Sequence, residues 1–267
     1  MCTVTFIPRN DGFYLAMNRD ERITRPSASP PAVFGQGVVE SIYPLDSEGG
    51  TWIAANRSGA AFALLNWNDV QVLHQKTCTR GSVIPALLGS TCDHAAELAL
   101  RRLDLDGILP FRLVGIFPAQ ERLIEWRWDQ QTIERNSFPW ATRQWCSSSL
   151  SDAAATASRK QVLEQKLTEC RPRSLTWLRQ LHSSHDDGYP LFSHCVHREE
   201  VETVSYTELV CLGQRIACNY LACSPCKRNR TLHRVSLPRL LAEMQPIGPT
   251  FLIVNNSRLP FVPPSVR

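Results

Sequence analysis

The chain has 267 residues, of which 43% are hydrophobic and 20% charged, and its 29 basic and 25 acidic side chains give a formal net charge of +4. No run of about 18 apolar residues occurs, and Arg9, Asn10 and Asp11 interrupt the first apolar stretch too early for a secretory signal, so we expect no membrane span and a cytoplasmic location. The basic residues form no stripe with interleaved aromatic residues, which argues against a nucleic-acid-binding protein.

The first predicted elements are two short apolar strands joined by a turn. Residues 3–7 (TVTFI) and 13–17 (FYLAM) flank the turn sequence NDG, a combination that predicts a β-hairpin. The hairpin places Cys2 at the free end of its first strand, and it places residues 17–22 (MNRDER) at the end of its second. Polar side chains are therefore expected beside Cys2.

The remaining elements predict an α+β fold. Residues 51–56 and 60–66 form a second predicted hairpin, and residues 93–103 a helix with Asp93 as its N-cap. Further predicted strands lie at 111–117, 122–128, 203–211, 215–222 and 231–237, and further helices at about 151–170 and 174–183. Hairpins without regular strand-helix alternation favour mostly antiparallel sheets, and strands that are apolar on both faces favour two sheets covered on both sides. Without an internal repeat or a linker, we expect a single domain over residues 1–267.

Cys2 directly follows the initiator methionine, and removal of Met1 would give one residue both a thiol and a free α-amino group. A thiolate is a strong nucleophile, and an α-amino group with a pKa of about 7.7–8.0 can serve as general base for its own side chain. With Met1 retained, the same nitrogen is an amide without basicity. On position alone, a buried or incidental cysteine is the alternative interpretation.

Four separated motifs resemble the NRDE family, the transport-and-Golgi-organisation 2 homologues. They are the N-terminal Met-Cys strand with Asn18-Arg19-Asp20-Glu21, TRPSASP at 24–30, GGTWIAANRSGAAFALLNW at 49–67, and CVHREEVETVSYTE at 195–208. The resemblance implies an N-terminal-nucleophile hydrolase fold, which is a four-layer α-β-β-α sandwich. It also implies a distant relation to choloylglycine hydrolases and penicillin acylases, which open amide bonds with an N-terminal cysteine.

By motif position, the resemblance implies that Cys2, Arg19, Asp20, Asn66 and Arg198 are catalytic residues. Asp20 would hold the α-ammonium group of Cys2, and Arg19 would lower the pKa of the thiol or bind a substrate carboxylate. Asn66 would donate to the oxyanion of a tetrahedral intermediate, unless it only ends a strand at a turn. A regular strand would point Arg19 and Asp20 to opposite faces, so the strand ends or bulges there, or only one of them reaches Cys2.

Substrate contacts are expected from residues beside these positions: Asn18, Glu21, Trp67 and His197. A solvated loop is the alternative for His197 and Arg198, because charged residues are mostly exposed. The resemblance leaves two functions open. One is a cysteine hydrolase that cleaves a linear, non-peptide amide, and the other is a non-catalytic carrier of a lipid-like, acyl or porphyrin ligand. The thiol, the amine and the charged cluster together favour the enzyme, with a small molecule as partner; no oligomeric state follows from the sequence.

Two segments that contain histidine and cysteine are candidates for a metal site. Residues 182–197 contain four of the seven histidines, but their His-x-x-His spacing does not place two ligands on one helix face. Asp186 and Asp187 belong to the same segment, whose glycine and proline indicate a loop. The Cys-x-x-Cys at 223–226 lacks the second pair typical of structural zinc and the βαβ context of a redox motif. We therefore expect no metal and no cofactor.

Overall fold

The computed structural model describes residues 2–169, 171–185, 190–228 and 231–240. The strands are β1 (Cys2–Arg9), β2 (Gly12–Arg22), β3 (Ser29–Phe34), β4 (Ser41–Leu45), β5 (Ile53–Asn56), β6 (Ala61–Asn66), β7 (Phe111–Phe117), β8 (Arg122–Trp128), β9 (Ile133–Phe138), β10 (Arg143–Ser147), β11 (Val201–Leu212), β12 (Arg215–Leu221) and β13 (Leu232–Pro238). The helices are α1 (Val83–Leu87), α2 (Asp93–Arg101), α3 (Asp152–Lys166) and α4 (Leu175–His182). Within these residues no helix is both long and apolar enough to cross a membrane.

The strands form two antiparallel sheets. The six-stranded sheet has the order β10-β1-β2-β11-β12-β13, and the seven-stranded sheet has the order β3-β4-β5-β6-β7-β8-β9. The second sheet follows chain order throughout, because every connection joins neighbouring strands. In the first sheet β1 and β2 are neighbours, with the edge strand β10 on the other side of β1 and β11 on the other side of β2. The end of β1 therefore lies between β2, which follows it directly in sequence, and β10, which is distant in sequence.

Two layers of helices cover the outer faces of the two stacked sheets. A core between the sheets includes Val4, Phe6 and Ile53. A second apolar cluster joins α1 and α2 to the seven-stranded sheet, and a third joins α3 and α4 to the six-stranded sheet. The layers therefore run α-β-β-α, which confirms the predicted fold class.

Strand β6 shows why some strands carry apolar residues on both faces. Ala61, Ala63 and Leu65 pack into the core between the sheets, whereas Phe62 and Leu64 pack toward helices α1 and α2. Side chains alternate between the two faces of a strand, so a strand buried on both sides must be apolar throughout.

The sequence predictions located most elements. Both hairpins are confirmed, as are the strands at 111–117 and 122–128 and the last three strands. The prediction that Asp93 caps helix α2 is wrong: Asp93 is its first residue, and the preceding Cys92 sulfur accepts from the backbone N–H of Ala95 at 3.5 Å. Strands β3, β4, β9 and β10 were not predicted. Strand β3 contains two prolines at a sheet edge, and β9 is half exposed, so neither carries a strong hydrophobic pattern.

Candidate active site

Cys2 lies at the end of β1 with a neighbour on each side. It is opposite Arg19 of β2 and opposite Ser147 of β10. The side chain is 7% exposed and packs at the edge of the core between the sheets. Directly opposed residues share a face of the sheet, so the Arg19 side chain projects on the same side as the thiol.

Burial raises the pKa of the Cys2 thiol, and the negative charge of Asp20 raises it further. The backbone N–H of Asp20, which donates to the sulfur, and the positive charge of Arg19 act in the opposite direction without overcoming the burial. The thiol is therefore protonated at neutral pH unless a nearby base removes its proton.

Arg19 is held against an aromatic ring beside the thiol. Its guanidinium carbon lies 4.3 Å from the ring centroid of Trp52, and the side chain is almost completely buried. One carboxylate oxygen of Glu21 lies 3.8 Å from the guanidinium. Stacking on the ring fixes the position of the cation and keeps its charge near Cys2.

Asp20 points to the opposite face of the sheet. Its carboxylate accepts a 2.6 Å hydrogen bond from the Thr203 hydroxyl and lies 3.7 Å from the Arg159 guanidinium of α3. Strand β2 continues to Arg22, and the irregularity lies in β11, where the register shifts between Thr203 and Ser205. Only the side chain of Arg19 shares the thiol face, while Asp20 presents its backbone N–H to the sulfur.

Sequence reasoning missed Arg159, which is fully buried behind Cys2. Its guanidinium donates to the carbonyl oxygens of Phe192 and Ser193, each at 3.0 Å, and to that of Cys2 at 3.4 Å. A signal was present in the sequence, because the buried residues of α3 recur at positions 152, 155, 159 and 162. An arginine on the apolar face of a helix requires buried acceptors.

A cleft of about 140 Å³ opens in front of Cys2. Its lining includes the cations Arg19, Arg25, Lys76 and Arg80 and the acidic residues Asp20, Glu21 and Asp46, of which Asp20 turns its carboxylate to the opposite face of the sheet. Two glycines allow one wall to form, because a Cβ on Gly50 would lie 2.7 Å from the Cα of Gly81. The loop that carries Arg80 can therefore lie directly on the turn before Thr51, whose N–H donates to the Gly81 carbonyl at 3.1 Å.

The cations of this cleft differ in their partners. Arg25 pairs with Glu21 at 3.1 Å and with Asp46 at 3.4 Å. Arg80 donates to the carbonyl of Pro110 at 3.2 Å, and no carboxylate of the described residues lies within 4.0 Å of its guanidinium. Burial lowers the pKa of Arg80, although an arginine keeps its charge at neutral pH. Arg80 is a cation that can receive a carboxylate.

Five of the nine predicted site residues line this one cleft: Cys2, Arg19, Asp20, Glu21 and Asn66. Asn18 does not line it, because its side-chain amide donates to the carbonyls of His182 and His194 at 2.8 and 2.7 Å. Those two bonds tie strand β2 to the last residue of α4 and to the segment that precedes β11. Asn18 therefore supports the site from behind.

The other three predicted residues lie elsewhere. Trp67 faces Arg127, whose guanidinium carbon lies 5.7 Å from its ring, in a separate surface cleft. Arg198 donates to the carbonyl of Leu191, and its charge interacts with that of Asp20. His197 lies beside the thiols of Cys195 and Cys226.

Comparison with known families shows which family the chain belongs to. Residues 1–169 match the family described as Transport and Golgi organisation 2. The chain belongs to this family. The match covers the hairpin that carries Cys2, Arg19 and Asp20, as well as the strand that ends at Asn66. No curated protein matches the sequence.

Solved structures share the fold at low sequence identity. Penicillin V acylase from Agrobacterium tumefaciens superposes with a TM-score of 0.50 and 11% identity, over 87% of this chain and 85% of the acylase. A mutant and a variant of conjugated bile acid hydrolase from Clostridium perfringens each give a TM-score of 0.51 and 11% identity, over 88% of this chain and 92% of the hydrolase. These likenesses confirm the N-terminal-nucleophile-hydrolase-like fold implied by the sequence motifs.

Proposed function

We propose that the chain is an amide hydrolase whose nucleophile is Cys2, made N-terminal by removal of Met1, and whose substrate is a linear, non-peptide amide with an anionic group. The observation that carries the proposal is the position of Cys2, which begins strand β1 beside Arg19 and lines a cleft. The structural neighbours that share this fold are an acylase and a bile acid hydrolase by name.

In the proposed reaction, the α-amino group of Cys2 takes the proton of the thiol, and the thiolate attacks the carbonyl carbon of the amide. The C–N bond breaks, and the leaving amine takes the proton from the ammonium group, which leaves a thioester on Cys2. A water molecule then attacks the thioester, with the amine again as base, and releases the acid and the thiol. Burial raises the pKa of the thiol, so the reaction needs this internal base.

The remaining cleft residues have roles that follow from their charges and donors. The side-chain amide of Asn66 lines the cleft and can donate to the oxyanion that forms during attack. Arg19 lies on the thiol face and stabilises the thiolate. Asp20 orients the ammonium group of Cys2 from a fixed carboxylate, which Thr203 and Arg159 hold in place.

Arg80 is the proposed contact for the anionic group of the substrate. For a carboxylate-bearing amide such as an N-acylglycine, we expect Arg80→Met to raise KM by about 10- to 100-fold with little change in kcat. The size follows because a hydrogen bond to a charged group contributes about 1.5–3 kcal/mol. Steady-state kinetics on the N-acylglycine and on its uncharged amide analogue will measure this.

Lys76→Met is the matched control for this measurement, because Lys76 lines the same cleft but is 48% exposed and pairs with Glu48 at 3.9 Å. We expect a change of less than about threefold in KM for this variant. An equal loss with both substrates in Arg80→Met would assign Arg80 to the support of the cleft wall instead of anion binding.

Brief labelling with a thiol electrophile tests whether Cys2 is the nucleophile. After removal of Met1, we expect Cys2 to react faster than Cys78, which is the exposed cysteine among the described residues. In a control chain that keeps Met1 behind an N-terminal extension, we expect Cys78 to react faster than Cys2. Cys2 is buried there, and burial raises the pKa of its thiol. A peptide map by mass spectrometry reads both rates and the state of Met1.

The pH dependence of the labelling rate also distinguishes the chain without Met1 from the extended chain. In the processed chain the rate should level off near pH 8, where an α-amino group of pKa about 7.7–8.0 loses its proton. In the extended chain the rate should still rise above that pH, because burial raises the pKa of the thiol. Two results would contradict the assignment of Cys2 as the nucleophile: retention of Met1 in the native chain, or slower labelling of Cys2 than of Cys78 in both forms. Either result would favour the carrier function.

A further inference from the structure

Four potential metal ligands converge at the end of the six-stranded sheet where β11 begins and β12 ends. They are His185, Cys195, His197 and Cys226, and their ligand atoms all lie within 4.8 Å of one another. His185 follows helix α4, Cys195 and His197 precede β11, and Cys226 follows β12. Three separate segments of the chain therefore meet at this cluster.

The distances are close to those of a tetrahedral site. His197 Nε2 lies 3.2 Å from the sulfur of Cys226 and 3.6 Å from the sulfur of Cys195. With Zn–S bonds of about 2.3 Å and Zn–N bonds of about 2.0–2.1 Å, the ligand atoms of a zinc tetrahedron lie about 3.3–3.8 Å apart. Small side-chain movements would complete this geometry.

Both histidines have the surroundings of metal ligands. His185 Nδ1 lies 2.9 Å from the carbonyl oxygen of Cys195, which only accepts hydrogen bonds, so Nδ1 carries the proton and Nε2 carries the lone pair. His197 directs Nδ1 toward a carboxylate oxygen of Glu202 at 3.8 Å and Nε2 toward the thiols. Metal-binding histidines usually donate the second ring N–H to a carbonyl or carboxylate; His185 does so, and Glu202 is the nearby carboxylate for His197.

We propose that His185, Cys195, His197 and Cys226 bind one structural Zn²⁺ ion. Two sulfur and two nitrogen ligands suit zinc, and four protein ligands leave no open position for substrate, which distinguishes a structural from a catalytic site. On binding, the two thiols lose their protons to solvent, and the neutral imidazoles bind through their lone pairs.

The ion would stabilise the hydrogen bonds that hold Asp20 in place. The backbone N–H of Val196, which lies between two of the ligands, donates to the Thr203 hydroxyl at 2.8 Å. Ser224, in the segment that carries Cys226, donates to the Thr203 carbonyl at 2.7 Å, and the Thr203 hydroxyl donates to Asp20. Zinc would join the two segments that hold Thr203. The inference does not depend on the proposed hydrolase activity.

Metal analysis of the full chain, purified without a histidine tag from zinc-supplemented cells, tests the proposal. We expect one zinc per chain and, after replacement by Co²⁺, the ligand-field bands of a tetrahedral ion with thiolate-to-cobalt charge transfer. Cys226→Ser removes a direct ligand. It should therefore weaken zinc binding by more than the ~10- to 100-fold typical of losing a residue that only hydrogen-bonds to a ligand. Cys223→Ser is the matched control, because Cys223 lies in the same Cys-x-x-Cys segment outside the cluster and should retain the metal.

Thermal unfolding of the unmodified chain with zinc or with a chelator provides a second measurement if Cys226→Ser does not fold. We expect the midpoint to rise with zinc and fall with chelator. Three results would overturn the proposal: no zinc bound at micromolar concentration, a disulfide between Cys195 and Cys226 in the peptide map, or equal loss of zinc in Cys223→Ser and Cys226→Ser.

Discussion

Cys2→Ala will abolish hydrolysis of an amide substrate while the protein stays folded. With the sulfur removed there is no nucleophile to form the thioester, and loss of a hydrolase nucleophile lowers kcat on the order of 10⁴-fold or more. The substitution removes one buried atom at the end of a strand, so the free energy of unfolding should change by only about 1 kcal/mol. Turnover of N-acylglycines, penicillin V and conjugated bile acids, together with urea unfolding, will measure both effects.

Cys146→Ala is the control for this experiment. Cys146 is equally buried in the neighbouring strand β10, and burial raises the pKa of its thiol as well. It lies opposite Thr3, one position further along the sheet, and does not line the cleft. We expect Cys146→Ala to retain activity. Substantial hydrolysis by Cys2→Ala would exclude Cys2 as the nucleophile, whichever substrate reveals the activity.

The N-terminal hairpin shows how much of the site could be predicted from the sequence. Two apolar runs around an NDG turn fix the pairing of β1 with β2, and this local pairing alone brings Arg19 opposite Cys2. The period of two along a strand also gave the divergence of Arg19 and Asp20 as one of the expected alternatives. Local rules suffice here because the interacting residues belong to adjacent strands joined by a short turn.

The rest of the site depends on pairings between distant segments. Strand β10 carries the sequence RQWCS, whose weak pattern gave no prediction, yet it pairs with β1 directly beside Cys2. Arg80 belongs to a loop whose position follows from the contact between Gly50 and Gly81, 31 residues apart by their numbers in the sequence. Neither turn chemistry nor periodicity encodes which loops will meet.

The cluster of histidine and cysteine ligands illustrates the same point. The expectation of no metal rested on spacing within one helix, where ligands recur at i and i+4. The proposed ligands come instead from three segments, and Cys226 lies 31 positions beyond Cys195 by their numbers in the sequence. Chain topology brings them together, because β11 and β12 are adjacent and antiparallel, so the start of one lies beside the end of the other.

Arg159 gives the second large expected effect, on stability. Arg159→Met will lower the free energy of unfolding by about 3–5 kcal/mol, the usual cost of removing one partner from a buried ion pair. The substitution removes the cation that lies 3.7 Å from the buried Asp20 carboxylate, and it removes the guanidinium that donates to the carbonyls of Phe192 and Ser193. Urea unfolding followed by tryptophan fluorescence will measure the change.

Lys160→Met is the matched control, because Lys160 is the next residue of α3 and is 69% exposed; its expected effect is within about 0.5 kcal/mol. A double-mutant cycle with Asp20→Asn then separates the two roles of Arg159. If the guanidinium mainly compensates the charge of Asp20, the double variant will be more stable than the sum of the single effects by about 1–3 kcal/mol. Additive effects would mean that Arg159 acts through its carbonyl acceptors, which join β1 to the segment before β11, and that the Arg159 guanidinium does not position Asp20.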